Sequence, residues 1–110
     1  MQVLYLNSDQ MGAGDPELGR KLLRGFLKKI VDSEIHLDFV VCVNGGVFLT
    51  TADGEALESL RALESRGAKI ASCGTCLDHY DRRAELRVGV VGAMAETVEL
   101  LASADRVIRP

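Results

Sequence analysis

Cys73 and Cys76, which are separated by two residues, are the side chains whose type and spacing best suit chemistry in this chain. They lie in the stretch IASCGTCLDHYD, residues 70–81, between an apolar run and a polar segment that could form a short helix. The thiolate is the reactive form of cysteine, and a neighbouring helix N-terminus lowers the pKa of a thiol. The pair could therefore be a metal clip, a redox dithiol, a sulfur carrier or buried packing.

Zinc binding is disfavoured by the number of ligands. Structural zinc usually has four protein ligands, whereas beyond the cysteine pair the chain offers only Cys42, His36 and His79. His79 follows Cys76 closely and could approach a metal, but a closed site would still need another ligand. We expect neither a metal nor another cofactor.

The redox and sulfur-carrier alternatives differ in what they require. A redox dithiol requires the two sulfurs to meet, which this spacing allows when the second cysteine lies in a helical turn. A sulfur carrier requires one accessible thiolate that holds a persulfide. Backbone N–H groups, or the nearby Arg82 and Arg83, could stabilise the terminal sulfur. In that case the second thiol could release the bound sulfur as a disulfide forms.

Buried packing is the remaining alternative, since free cysteine is among the most buried residue types. The residues around the motif are small or polar, however, which favours a loop over a core position. Cys42 is the opposite case, because it lies within the apolar run FVVCVN and is expected to be core packing. His79 and Tyr80 could act as acid–base partners of a thiol, although a histidine in a polar segment is more often a surface residue.

Polar or glycine-rich loops follow three predicted strands, at residues 7–15, 44–50 and 73–76. Because ligands collect beyond the carboxyl ends of the strands in an open parallel sheet, we expect these loops to converge on one edge. Their glycines allow close backbone approach, and exposed N–H groups can hold an anion. The glycines could equally serve only for tight turns, because GAGD matches neither a phosphate loop nor the dinucleotide fingerprint. The candidate ligand-binding residues are Asn7, Asp9, Gly12, Gly14, Asn44, Gly45, Gly46, Gly74 and Thr75.

The elements that must position these residues are five strands and four helices, predicted from apolar periodicity and turn residues. The strands are predicted at residues 2–7, 36–44, 68–72, 87–92 and 105–109, and the helices at 16–31, 55–66, 77–85 and 93–103. Asp15 is expected to cap the first helix. The apolar stripes include Leu18 and Leu22 in the first helix and Met94, Val98 and Leu101 in the last. Regular alternation indicates a three-layer α/β/α fold with a mostly parallel five-stranded sheet.

Length and composition exclude several classes of function. The 110 residues suit one domain. The net charge is −3 and the basic residues are scattered among acidic ones, so no nucleic-acid partner is expected. No apolar run approaches the length of a membrane span, so no membrane partner is expected. Three cysteines, an odd number, favour free thiols and a cytoplasmic protein over a disulfide framework.

Four segments together resemble the DsrE-like domain of YedF-type proteins, which are associated with sulfur transfer and selenium metabolism. They are LNSDQMGAGDPELGRKLLRGFL, VNGGVFLT, ALESRGAKIASCGTCLDHY and LRVGVV. The resemblance covers almost the whole chain, and the order and spacing of the blocks make it specific. It implies a single DsrE-like domain over residues 1–110, with a flavodoxin-like fold. It also implies a homo-oligomer, whether dimer, trimer or hexamer.

The same resemblance implies a function for the cysteines. Some DsrE-like proteins act in sulfur relays, in which a cysteine after a strand accepts a persulfide sulfur and passes it on. By position Cys73 matches that cysteine, and Cys76 is the additional thiol of a subgroup. YedF-type proteins usually carry an N-terminal TusA-like domain, whereas this chain begins at its first strand. On this resemblance the chain could act alone, be a fragment, or receive sulfur from a separate TusA-like carrier protein.

Three functions are compatible with these observations. The first is a sulfur relay or sulfurtransferase-like activity, with the persulfide on Cys73. The second is a non-enzymatic ligand-binding or assembly module that uses the glycine-rich loops. The third is a thiol-redox protein in which Cys73 and Cys76 form a reversible disulfide.

Overall fold

The chain forms one sheet of five strands, and every neighbouring pair of strands is parallel. The computed structural model describes all of residues 1–110. The strands are β1 (Gln2–Leu6), β2 (Phe39–Cys42), β3 (Lys69–Cys73), β4 (Val90–Gly92) and β5 (Arg106–Ile108). Their order across the sheet is β4-β3-β2-β1-β5. The predicted α/β class and the alternation of strands with helices are therefore confirmed.

Five helices connect the strands, together with two short 3-10 turns. The helices are α1 (Pro16–Asp32), α2 (Phe48–Thr51), α3 (Glu55–Ser65), α4 (Gly74–His79) and α5 (Met94–Ser103), and the turns are Asn44–Val47 and Arg83–Glu85. The predicted start of α1 is confirmed, because the Asp15 carboxylate accepts the N–H of Leu18 at 2.8 Å. None of these helices combines the length and apolar character that crossing a membrane requires.

The sheet carries a separate apolar core on each face, because side chains of a strand alternate between the two faces. The larger core packs the sheet against α1 and α3, and Ile70 and Cys42 belong to it. The smaller core consists of Val3, Val41, Val43 and Cys73, and α5 packs against it through Leu100 and Leu101. These two cores give the three layers that the sequence predicts.

Three predicted details of the helices are wrong. The helix predicted at residues 77–85 begins at Gly74, directly after β3, so the cysteine motif is not a loop. Met94 and Val98, assigned to the apolar face of the last helix, are 52% and 59% exposed. The residue of α5 that is buried is Thr97. In α1, Leu18 and Leu22 are likewise exposed, although both fit the apolar stripe.

The order of the strands determines which loops can meet. The strands β3, β2 and β1 are neighbours, and all run in the same direction. Their carboxyl ends therefore lie side by side, at Cys73, Cys42 and Leu6. The segments that follow these three strands form the candidate site.

Candidate functional site

Cys73 and Cys76 occupy different environments at the carboxyl end of β3. Cys73 is the last residue of the strand and is buried, with 5% of its surface exposed, in the core under α5. The prediction that it lies in an open loop is wrong, because α4 begins at the next residue. Cys76 lies in the first turn of α4 and is half-buried. It is thus the more accessible thiol of the pair.

The sulfur of Cys76 has a specific polar partner across the edge of the sheet. The backbone N–H of Asn44 donates to Cys76 Sγ, with a nitrogen–sulfur distance of 3.1 Å. Burial raises the pKa of the Cys76 thiol, the Asn44 N–H lowers it, and the neighbouring Cys73 thiol raises it again. The net direction is upward, so the Asn44 N–H is the contact that opposes protonation of this sulfur.

Cys42 is the thiol that lies deepest in the core. It lies in β2 within the larger core and has no exposed surface. Burial raises the pKa of its thiol to about 12. A thiol of that pKa is almost wholly protonated near neutral pH, so the prediction of core packing is confirmed.

Asn44 is held on both sides, by Cys76 in the first turn of α4 and by Tyr80, the residue that caps the C-terminus of α4. Its φ of 48° lies in the left-handed region, which asparagine tolerates better than most residues. The hydroxyl of Tyr80 donates to its side-chain oxygen at 2.5 Å. The Tyr80 ring packs against Phe48, with 4.7 Å between the ring centroids. Asn44 therefore links the segment after β2 to the segment after β3.

The segment after β2 also lies directly against the end of β1. A Cβ atom at Gly46 would lie 2.1 Å from the carbonyl oxygen of Leu6, so only glycine fits there. A Cβ atom at Gly45 would lie 3.5 Å from the backbone nitrogen of Asp9. The predicted convergence of the three loops therefore occurs, with the Asn44–Val47 turn in the middle.

Four of the predicted ligand-binding residues lie in exposed positions around this centre. Gly12 and Gly14 are exposed with open space around them, while Asn7 and Thr75 are exposed. The N-terminus of α1, where an anion could bind next to these glycines, is already occupied by the Asp15 carboxylate. At Gly12 and Gly14 the structure supports tight turns better than an anion site.

Gly74 is buried at the first position of α4. A Cβ atom there would lie 2.9 Å from a guanidinium nitrogen of Arg83 and 3.1 Å from a methyl group of Val91. Arg83 pairs with Asp78 through two bonds, at 2.7 and 3.0 Å, and this pair holds the pKa of the Asp78 carboxyl below its usual range. Arg82 lies over the Phe48 ring at 5.2 Å. Both arginines thus have partners within the chain.

A cavity of about 390 Å³ adjoins the same edge on the α1–α3 side. It is lined by both signs of charge and by a few apolar groups. Its charged lining residues are Asp9, Arg20, Arg24, Asp53 and Glu55. Asp9 belongs to both the loop after β1 and this cavity, so it is the predicted ligand-binding residue that lies next to a sizeable opening.

Each histidine has a side-chain partner other than a thiol. His36 contacts Asp38 at 3.2 Å, and the exposed His79 packs edge-on against Tyr80. No group of three or more His, Cys, Asp and Glu side chains is arranged to hold a metal ion. Sequence reasoning missed the contact between Tyr80 and Asn44, although Tyr80 follows Cys76 by one helical turn, which places both on one side of α4.

These features define an α/β protein with a dithiol at the carboxyl end of a central strand. No family model matches the chain, and no curated protein does. Solved structures are similar over nearly the whole length. The YchN protein of E. coli has a TM-score of 0.66 and 19% identity, and the alignment covers 99% of this chain and 97% of that one.

Two further solved structures are proteins of unknown function. The one from Methanobacterium thermoautotrophicum has a TM-score of 0.70 and 22% identity, with 99% of this chain and 97% of that one covered. The one from Bacteroides thetaiotaomicron has a TM-score of 0.66 and 12% identity, with 99% and 94% covered. At these identities the likeness establishes a shared fold, and the function must be argued from the site.

Proposed function

We propose that this protein carries sulfur as a persulfide on Cys76, in a sulfurtransferase-like relay. The observation that carries this proposal is the position of the Cys76 sulfur. It is half-buried at the carboxyl edge of the sheet and accepts the Asn44 N–H at 3.1 Å. An N–H directed at this atom favours the thiolate, which is the nucleophile of the reaction.

The proposed transfer conserves sulfur atoms and charge. The Cys76 thiolate attacks the outer sulfur of a donor persulfide, a new sulfur–sulfur bond forms, and the donor leaves as a thiolate. A nucleophilic acceptor then attacks the terminal sulfur on Cys76, which restores the Cys76 thiolate. Alternatively, Cys73 attacks the Cys76 sulfur, releases hydrosulfide and leaves a Cys73–Cys76 disulfide, which an external dithiol must reduce before another cycle.

The burial of the two thiols supports assigning the carrier role to Cys76 and the release role to Cys73. The sequence favours the opposite assignment, because Cys73 matches the relay cysteine by position. A donor protein must reach the accepting sulfur, however, and Cys73 is 5% exposed beneath α5. Cys73 lies against Cys76 and needs no access to a second protein if it acts only on the bound sulfur.

Mass spectrometry after incubation with a cysteine desulfurase and cysteine tests this proposal. We expect the wild-type chain and Cys73→Ser to gain the mass of one sulfur atom, and Cys76→Ser to gain none. Cys42→Ala is the matched control and should load like the wild type, because its thiol is inert. An adduct that persists in Cys76→Ser and disappears in Cys73→Ser would return the carrier role to Cys73. No adduct on Cys73→Ser, in which the release step is blocked, would refute the relay.

A thiol-redox function is the second candidate, because Cys73 and Cys76 are neighbours in the structure. It requires an oxidant that accepts two electrons from the Cys73–Cys76 dithiol, and it predicts that both thiols disappear together as a disulfide forms. Counting free thiols before and after treatment with oxidised glutathione tests it. A count that stays at three in oxidant would exclude this function, whereas loss of two thiols, prevented by Cys73→Ser, would support it.

A ligand-binding module is the third candidate, and the cavity at Asp9, Arg20 and Arg24 favours it. A ligand that binds the folded chain raises its thermal midpoint. A screen of small zwitterionic and anionic metabolites by thermal shift would reveal such a ligand. The response should weaken in Asp9→Asn and stay unchanged in Cys76→Ser.

The proposed relay agrees with the DsrE-like relationship that the sequence blocks indicate, and the fold shared with YchN is compatible with it. We assign the chain to the YedF-type branch on the SCGTC block, with a TusA-like protein as sulfur donor or acceptor. A role in selenium metabolism belongs to the same proposal, since a thiolate can bind selenium as it binds sulfur. Free cysteines fit a cytoplasmic location, where thiols remain reduced.

We also propose that the chain forms a homo-oligomer through the face that carries α5. Several large apolar side chains are exposed on α5 and on the two edge strands of the sheet. They are Val90, Met94, Val98 and Val107. Clustered apolar exposure on a monomer often marks an interface. One helix covers this face of the sheet whereas two cover the other, which supports a second copy as the missing cover.

A further inference from the structure

We propose that Tyr80 is a positioning residue that directs the Asn44 backbone N–H at the Cys76 sulfur by holding the Asn44 side chain. This inference rests on the proposed role of Cys76, since it concerns the reactivity of that thiol. Tyr80 does not itself touch the sulfur in this scheme. Its effect is transmitted through Asn44.

Cys76 in α4 and Tyr80 at its C-terminal cap supply the two contacts to Asn44. Cys76 accepts the backbone N–H of Asn44, and Tyr80 donates its hydroxyl to the Asn44 side-chain oxygen. The Tyr80 backbone N–H donates to the Cys76 carbonyl oxygen at 3.1 Å, so the two residues are fixed relative to each other. Asn44 is therefore held through its backbone by Cys76 and through its side chain by Tyr80, and its position depends on both contacts.

These two contacts also fix the backbone conformation of Asn44, which is uncommon for a residue other than glycine. Its φ of 48° is one of two positive values among the non-glycine residues of the chain, the other being that of Asp81. Asparagine tolerates this region, and the contacts around it select the conformation at this position. The side-chain bond to Tyr80 is one such contact, because rotation of the Asn44 backbone would move its side chain away from the hydroxyl.

Tyr80 is itself held in place by its ring. The ring packs against Phe48 at 4.7 Å and against His79 at 5.0 Å between centroids. These contacts do not involve the hydroxyl, so Tyr80→Phe removes the bond to Asn44 and leaves the ring packing in place. The substitution therefore isolates the proposed positioning effect from a general loss of structure.

Few titratable groups face the Cys76 sulfur, so the pH dependence of its alkylation can be assigned to a particular contact. Cys73 faces it from β3 and Tyr80 lies beyond Asn44 on α4, while the Asn44–Val47 turn carries no titratable side chain. The charged Arg83 on the following turn is paired with Asp78. A change in the pH profile of Cys76 in Tyr80→Phe therefore reports on the Asn44 N–H, provided that Cys73 is present in all variants.

The test is the rate of Cys76 alkylation by iodoacetamide as a function of pH, followed by mass spectrometry of the Cys76 peptide. A partly weakened N–H contact stabilises the thiolate less, so the midpoint of the alkylation profile rises by about half a pH unit. Below the midpoint the alkylation rate then falls by about threefold. Tyr80→Phe should show this shift. Tyr5→Phe, whose ring is also half-buried and whose hydroxyl has no partner in the chain, should not.

A double variant decides whether the effect passes through Asn44. Asn44→Gly keeps the backbone N–H and tolerates the positive φ but removes the side-chain oxygen, so it should shift the profile as Tyr80→Phe does. Adding Tyr80→Phe to Asn44→Gly should cause no further shift, because residues in one network are not additive. An unshifted profile in Tyr80→Phe, or shifts that add in the double variant, would overturn the inference.

The same variants separate this inference from the proposed relay. Alkylation uses no sulfur donor, so it reports on the thiol even if no persulfide forms. If Cys73→Ser takes up no sulfur but Tyr80→Phe shows the alkylation shift, the relay is refuted and the positioning role is retained. If the wild-type chain takes up sulfur normally but Tyr80→Phe leaves the alkylation profile unshifted, the relay is retained and the positioning role of Tyr80 is refuted.

Discussion

Gly46→Ala tests the packing that brings the candidate site together. Gly46 lies in the Asn44–Val47 turn, between the end of β1 and the segment that carries Cys76. A Cβ atom at this position would lie 2.1 Å from the Leu6 carbonyl oxygen, so the turn must retreat by about 1 Å to reach the ~3.3 Å of a close carbon–oxygen contact. The same oxygen accepts the Val43 N–H at 3.0 Å, and retreat weakens that bond.

The expected cost of Gly46→Ala is about 2–3 kcal/mol in the free energy of unfolding. Overpacking in a well-packed region costs about 1–3 kcal/mol, and the weakened hydrogen bond adds up to about 1 kcal/mol. The lower chain entropy of alanine in the unfolded state returns about half a kcal/mol. Urea denaturation at a fixed chain concentration measures the sum, since an oligomer would otherwise make stability depend on concentration.

Gly25→Ala is the matched control for this prediction. Gly25 lies within α1, and a Cβ atom there meets nothing within 4 Å. The substitution should therefore stabilise the chain by about 0.5–1 kcal/mol through helix propensity. Gly46→Ala should also slow the alkylation of Cys76, because Asn44 moves with the turn. A Gly46→Ala variant within about 0.5 kcal/mol of the wild type would show that the turn does not lie against β1 as described.

Three further outcomes check other parts of the structure. Asp15→Ala should lower the free energy of unfolding by about 0.5–2 kcal/mol in urea denaturation, because α1 loses its cap. The pKa of Asp78 is depressed in the folded chain, so this carboxyl contributes stability above its unfolded pKa and loses that contribution as the pH falls through its folded pKa. The urea midpoint of Asp78→Asn should therefore fall less steeply with acidification than that of the wild type. Val98→Glu should lower the mass measured by sedimentation, whereas Leu22→Glu, at an exposed apolar site on the opposite layer, should not.

The fold class could be predicted from the sequence because its signals are local. Asp15 and Pro16 define the start of α1 through capping chemistry, and the apolar run around Cys42 defines a strand buried on both faces. The order of the strands could not be predicted in this way. It depends on which crossovers pack against which face, and the position of β5 beside β1 leaves no mark in the local pattern.

The exposed side of α5 was mispredicted for a related reason. Met94 and Val98 repeat at helical spacing, and periodicity alone cannot distinguish a stripe that faces the chain's own core from one that faces a partner. The buried residue of this helix is Thr97, which donates its hydroxyl to the carbonyl oxygen of Ala93 at 3.4 Å. A polar residue can be buried at that position because its hydroxyl bonds within its own helix.

The two cysteines lie in different environments because the chain changes from strand to helix between them. Within β3, alternation places Ile70 in the core against α1 and α3 and Cys73 in the core under α5. Alternation ends at Gly74, where the chain turns into α4, and helical spacing then directs Cys76 back toward the turn after β2. A strand that ended one residue later would delay that turn and place the second sulfur elsewhere. The chain thus turns at Gly74, and this turn leaves Cys73 under α5 and brings Cys76 to the Asn44 N–H.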